Sequence, residues 1–241
     1  MMNSSWIPGN QAALSFTFDD ARATQLSHGV PLLNNYGIKS TFYVMPHNVE
    51  KNPQAWQQVL SDGHEIGNHT LTHPCSGNFS YSRSNPLENF SLAQMEDEVL
   101  GANSAIQNML GVTPQTFAYP CGQTFVGRGK NLRSYVPFIA KNFVAGRATS
   151  GSGNVPGIFD VHRLHAVGID RAEFANLKNH IDEAREKKLW LIFYGHEIGD
   201  EERRGISLQL LEEVCRYAIS FEDLWIDTVE SIARLFLRDA G

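Results

Sequence analysis

A chain of 241 residues with 42% hydrophobic and 19% charged side chains has the composition of a folded protein with a substantial core, which argues against disorder. Its net charge of -6 is mild and its basic residues are scattered, whereas a nucleic-acid surface needs a basic stripe, so no nucleic-acid partner is expected. The cysteines Cys75, Cys121 and Cys215 are odd in number and share no CxxC spacing, which argues against a disulfide framework or a cysteine-rich zinc site and leaves room for one bridge.

The opening MMNSSWIPGN has neither a cationic n-region nor an apolar h-region, and no stretch reaches transmembrane length. The chain therefore reads as soluble, with no membrane partner. Its native compartment stays open, export with a removed signal included, and so does its oligomeric state.

Residues 12–18 (AALSFTF) form a β-prone run that stops abruptly at Asp19 and Asp20, as a buried strand does where it leaves a sheet. A helix is expected over 24–35, with Leu26, Val30 and Leu33 on one face, followed by a strand at 40–45 (STFYVM). Pro53 starts a second helix that Gly63 terminates, and 64–67 form a short strand leading into His69 and His73. Residues 74–89, rich in Ser, Asn, Gly and Pro, read as a long surface loop, and Ser91 caps a helix that keeps its apolar period to Gly111. Residues 116–119 form a strand stopped by Pro120-Cys121-Gly122, and a further helix and strand pair is expected in 132–140 and 142–145. A strand at 164–169, a helix at 171–188 and the most apolar run of the chain, 189–194 (LWLIFY), lead to Gly195-His196-Glu197. A helix at 208–219, a strand at 224–226 and a helix at 229–237 finish the alternation, which predicts a mostly parallel α/β sheet, as a barrel or doubly wound.

Active sites of parallel α/β folds gather at the carboxyl ends of the strands, and there the polar residues collect: Asp19 and Asp20, His69 and His73, and His196. Imidazoles four residues apart can face one cation, which needs at least one more ligand, commonly a carboxylate. Two adjacent carboxylates and three histidines supply the parts of metal-assisted hydrolysis: an anionic ligand, a free base and an acid for the leaving group.

Taken in order, Thr17-Phe18-Asp19-Asp20, the run from Gly63 to His73 (GHEIGNHTLTH), Phe117 to Gly122 (FAYPCG) and a strand ending in His196 resemble the motifs of the polysaccharide deacetylase family, also called carbohydrate esterase family four. The resemblance covers roughly residues 12–236 and treats 1–241 as one catalytic domain. It implies a distorted (β/α) barrel of about seven parallel strands. It also implies a divalent metal, zinc first with cobalt or nickel as alternatives, held by Asp20, His69 and His73. By the same resemblance Asp19 is the general base, His196 the general acid, the Cys121 backbone N–H an oxyanion donor, and 191–193 part of the pocket for an acetyl methyl. The implied reaction removes acetyl groups, as amide or ester, from an acetylated poly- or oligosaccharide.

Three departures stand out. FAYPCG lacks the arginine that begins the family's third motif and the aromatic where Cys121 stands; Arg163, in FDVHRLH, is the candidate replacement. The usual Asp-Trp of the fourth motif is not evident, with Asp160 a partial substitute. Ala21-Arg22 replaces Gly-Pro, which points Arg22 at the cleft. Cys121 is otherwise expected to be a packing residue, His64 a structural one, and His28, His47, His162, His165 and His180 receive no role. Two other readings stay open: an iron oxygenase using the HxD triplet His180-Ile181-Asp182, and an inactive glycan-binding member of the same fold.

Overall fold

The computed structural model describes residues 12–199 and 205–239. Its main sheet is parallel, in the order β7-β4-β3-β2-β1-β9-β8, with β10 paired to the first half of β1. These strands are β1 (Ala12–Asp19), β2 (Thr41–Val44), β3 (Glu65–Asn68), β4 (Thr116–Ala118), β7 (Ala145–Arg147), β8 (Val167–Gly168), β9 (Trp190–Gly195) and β10 (Leu224–Ile226). A two-stranded antiparallel hairpin, β5 (Phe125–Val126) and β6 (Arg133–Ser134), stands apart from it. The expected barrel of about seven strands is therefore seven in one path plus β10. A parallel bridge from Arg147 to Leu164 begins to curl the β7 edge onward.

β1 is the hub, pairing with β9 along one edge and with β10 and then β2 along the other. All eight of its residues are buried, as befits a parallel strand covered on both faces. The strand period sorts its side chains. Leu14, Phe16 and Phe18 join Phe42, Trp56, Leu191 and Phe193 in the larger core, while Ala13 on the other face packs with Trp190, Ile192, Val229 and Ile232. Small residues on that second face admit the indole of Trp190, whose Nε1 donates to Ser15 Oγ at 3.2 Å.

The helices are α1 (Val30–Asn35), α2 (Pro46–Val49), α3 (Pro53–Ser61), α4 (Leu92–Leu110), α5 (Val136–Asn142), α6 (Phe174–Lys187), α7 (Leu208–Ile219) and α8 (Val229–Asp239). Ser91 caps α4 through a reciprocal box with Gln94, and Gly111 ends it at φ 75°. The helix expected over 24–35 is broken into a π turn, Gln25–Gly29, followed by α1, because Pro31 has no N–H to offer the preceding turn. α6 starts three residues later than expected, after Arg171 takes a left-handed conformation at φ 56°. The strand expected at 142–145 begins only at Ala145 and runs as β7 to Arg147, because α5 extends to Asn142.

Candidate active site and metal centre

Parallel neighbours in register send the ends of β1, β3, β4, β7 and β9 to one rim, and the polar residues singled out above are delivered there. The backbone at this rim is strained. Among the described residues, Asp20, Ala21, Thr70, His73, Cys121 and Arg171, the last beside Asp170, take positive φ without being glycine, and Lys188 does so at the end of α6. Such conformations cost of order 1–3 kcal/mol each and concentrate where geometry serves a site.

Asp20, His69 and His73 come together, their ligand atoms lying within 4.8 Å of one another. Asp20 Oδ1 stands 3.7 Å from His69 Nε2 and 3.9 Å from His73 Nε2. His69 is buried, and its Nδ1 lies 2.9 Å from the Ala118 carbonyl, which can only accept, so the proton sits on Nδ1 and Nε2 presents its lone pair. His73 Nδ1 faces Cys75 Sγ at 3.6 Å, leaving its Nε2 toward the same point. Burial, with the neighbouring His69, pushes His73 down to about 4 against the pull of Asp20, so it is neutral at pH 7. Burial would raise Asp20, but the surrounding imidazoles and Arg22 hold it at about 2, ionised. Asp20 Oδ1 is fully buried and has no hydrogen-bond partner. An orphaned carboxylate oxygen beside two bare imidazole nitrogens fits a divalent cation.

The residues around the pair explain the run from Gly63 to His73. His64 Nδ1 accepts from the Ser40 N–H at 3.1 Å, so its Nε2–H faces Asn34 Oδ1 at 3.1 Å. Burial lowers it to about 4, and it is the structural histidine expected of it. Glu65 accepts from Thr41, Thr116 and the Glu230 N–H, tying β2, β4 and the start of α8 to β3. A Cβ on Gly67 would lie 2.4 Å from the Tyr43 ring, so only glycine lets Tyr43 lie against β3. Asn68 bonds Val99 and Asn103 of α4 and accepts from the Thr70 N–H. Glu98 of the same helix accepts from the Leu71 and Thr72 N–H groups and the Thr72 hydroxyl, which fixes the loop that carries His73.

Asp19 sits 3.9 Å from His69 Nε2 through Oδ2, while its Oδ1 takes the guanidinium of Arg147. That arginine is buried between the rings of Tyr43 and Tyr194, at 5.0 and 5.1 Å from their centroids. Burial would raise the Asp19 carboxyl, and Arg147 with His69 and His196 brings it below the usual range. Arg163 does not fill this place. It lies exposed in the turn Val161–Arg163, and the guanidinium comes one strand earlier, from the end of β7.

His196 follows β9, its Nδ1 2.5 Å from Asp170 Oδ2 and its backbone N–H donating to Asp170 Oδ1 at 3.1 Å. Burial lowers His196, but the Asp170 bond and the nearby Asp19 more than reverse this and lift it to about 9. Asp160 takes no part, since it caps the turn at His162. Cys121 is not the unpaired packing residue expected. It is bridged to Cys75, because the loops after the neighbouring strands β3 and β4 meet at this rim, and the free, buried cysteine is Cys215. Leu191 and Phe193 belong to the core instead of a pocket; from that strand Tyr194 reaches the cleft. His180 and Asp182 lie on α6, and Asp182 is engaged by Lys178 and Tyr217.

Arg147 and Asp170 obey the same rule that found the histidines, a polar residue at or just past the end of a strand. The strand expected at 142–145 stops two residues short of Arg147, and Asp170 falls between the strand expected at 164–169 and the helix expected at 171–188, where an aspartate reads as a helix boundary. Arg22 does reach the cleft and grips Asp20 Oδ2 at 2.7 Å. For a divalent cation taken up at Asp20, His69 and His73, Arg22→Ala is expected to weaken binding about tenfold by freeing the Asp20 rotamer, as loss of an outer hydrogen bond to a ligand commonly does. Equilibrium zinc titration checks this, and an unchanged affinity would show that burial alone orients Asp20.

The polysaccharide deacetylase family model matches residues 7–134. A peptidoglycan-N-acetylglucosamine deacetylase from Bacillus cereus is 39% identical over 75 residues, 31% of this chain and 35% of that protein, so the chain aligns with about a third of the relative's length. A Mycobacterium smegmatis structure assigned to the polysaccharide deacetylases superposes with a TM-score of 0.73 at 14% identity, over 98% of this chain and 93% of the other. A family 4 acetyl xylan esterase from Clostridium thermocellum, solved in complex with a cobalt ion, superposes at 0.61 with 18% identity, over 92% and 91% of the two chains. At these identities the two structures show a shared fold.

Proposed function

This chain belongs to the polysaccharide deacetylase family, and on that premise we propose that it is a metal-dependent hydrolase that removes acetyl groups from a carbohydrate. One observation carries the reading: the buried, unpartnered Oδ1 of Asp20 facing the Nε2 atoms of His69 and His73. A divalent cation held by these three, zinc first with cobalt or nickel as alternatives, would polarise the acetyl carbonyl and make a water more acidic.

The chain's own groups then divide the proton traffic. Asp19, kept ionised by Arg147, takes the proton from the attacking water. Protonated His196, held by Asp170, gives a proton to the departing sugar nitrogen or oxygen. The Cys121 backbone, on a left-handed turn that lines the hollow with His69, His73 and Arg147, donates its N–H to the developing oxyanion. Acetate and a free amine or hydroxyl are the products.

The test joins metal analysis to acetate release from acetylated chitin, peptidoglycan, xylan and exopolysaccharide. His69→Ala or His73→Ala should empty the metal site, whereas His196→Ala should keep the metal. If zinc-, cobalt- or nickel-loaded protein releases no acetate from any of the four, the hydrolase reading gives way to glycan binding without cleavage.

A further inference from the structure

The loop of residues 74–91 stands over the cleft and has no task in the chemistry above. Two of its side chains, Phe79 and Tyr81, are 39% and 65% exposed although both are large and apolar. Their rings stack, with centroids 5.5 Å apart and planes at 29°. Scattered exposed apolar residues need no explanation, but a stacked aromatic pair at the mouth of a polar site does. Both rings line the inner hollow with Asp19, His69, His73 and His196, and Tyr81 also borders the wider cleft that continues toward His47, Lys51 and Asn85.

The pair is held in place. The Cys75–Cys121 bridge ties the start of the loop to the turn after β4. Tyr81 Oη lies 3.1 Å from Cys121 Sγ, so the edge of the ring is tethered. Ser76 donates to Glu88 and accepts from the Asn78 N–H, its own N–H reaches Gln123 Oε1 at 2.7 Å, and the Phe79 N–H bonds the Ser76 carbonyl at 3.0 Å. A surface fixed before binding loses little entropy when a ligand arrives.

We propose that Phe79 and Tyr81 form a stacking platform for a pyranose ring next to the acetylated one. The proposal rests on the carbohydrate reading and deepens it. The face of an aromatic ring is electron-rich, and the C–H bonds on the flat face of a pyranose turn their positive ends toward it. The contact is neutral, so it selects for ring shape and tolerates different sugar substituents. The size of the wider cleft agrees: about 1050 Å³, at the upper end of the ~300–1,000 Å³ of small-ligand pockets.

The experiment titrates acetylated chito- and xylo-tetrasaccharides calorimetrically into zinc-loaded Asp19→Asn protein, where binding is read without turnover. Phe79→Ala and Tyr81→Ala in that background should each weaken binding of the preferred tetramer about tenfold, with unchanged thermal unfolding, whereas Tyr81→Phe, which keeps the ring, should stay within about twofold. Unchanged affinity in both alanine variants would overturn the platform, as would loss in Tyr81→Phe equal to that in Tyr81→Ala, or failure of both tetramers to bind. Failure of the wild-type protein to release acetate would count against the hydrolase reading alone, because the titration does not depend on turnover.

Discussion

Asp19→Asn is expected to lower kcat by about 10²–10⁴-fold while the metal content stays at the wild-type level. The substitution is nearly isosteric, and it removes a carboxylate that stands beside the orphaned Asp20 oxygen and His69 without being the partner of His196. Because Asp19 is buried, its readiness to act as a base depends on Arg147, whose guanidinium opposes the rise that burial alone would produce. Arg147→Met should therefore reach a similar end by another route, leaving the carboxyl present but protonated well into the neutral range. The acid limb of kcat/KM would then move upward in pH, whereas Asp19→Asn lowers the whole profile. At pH values high enough to ionise Asp19 again, Arg147→Met should also cost about 3–5 kcal/mol of stability, because there it strands a buried charge. Inductively coupled plasma analysis for metal, alongside acetate release against pH, separates the two. Metal loss in Asp19→Asn would show that Asp19 is itself a ligand.

The alternation of strand and helix was legible because the strand runs are nearly continuous in apolar residues and the helices carry caps and stops, as at Ser91 and Gly111. The gathering of Asp19, Asp20, His69, His73 and His196 was legible for the same reason, since parallel strands end on one rim. Arg147 was hidden because β7 has only three residues and opens with Ala145-Gly146, which carry little pattern. Asp170 was hidden because β8 spans two residues and the next helix starts late, so the aspartate read as a helix boundary. The pairing of Cys75 with Cys121 could not come from spacing, because it depends on which strands are neighbours. The run from Gly63 to Asn68 was recognisable as a pattern, but its reasons are tertiary. Gly67 is required by the ring of Tyr43, and that same ring lies against Arg147 and so supports Asp19.

His196→Ala should lower kcat by about 10²–10⁴-fold for a poor leaving group, with the cation retained. The dependence on leaving group follows from the role: an alkoxide or amine needs a proton as it departs, and a phenolate does not. An ester such as 4-nitrophenyl acetate should therefore lose far less than an acetylated sugar. The pH profile carries the sharper test. His196 is an acid only while protonated, and its ring is lifted to about 9 chiefly by Asp170 working against burial. For a cationic acid with a raised pKa the active form is fully present at neutral pH and is lost as pH rises through that value. Activity should accordingly hold to near pH 9 and fall above it. Asp170→Asn removes the charge and weakens the bond while keeping the side-chain shape, so only Asp19 and Asp20 still oppose burial and the alkaline limb should fall by about a unit or more. At pH 6 the variant should approach the wild-type rate, and at pH 8 it should be well below it. An alkaline limb unmoved by Asp170→Asn would mean that the limb belongs to another group and that Asp170 serves only to orient the ring.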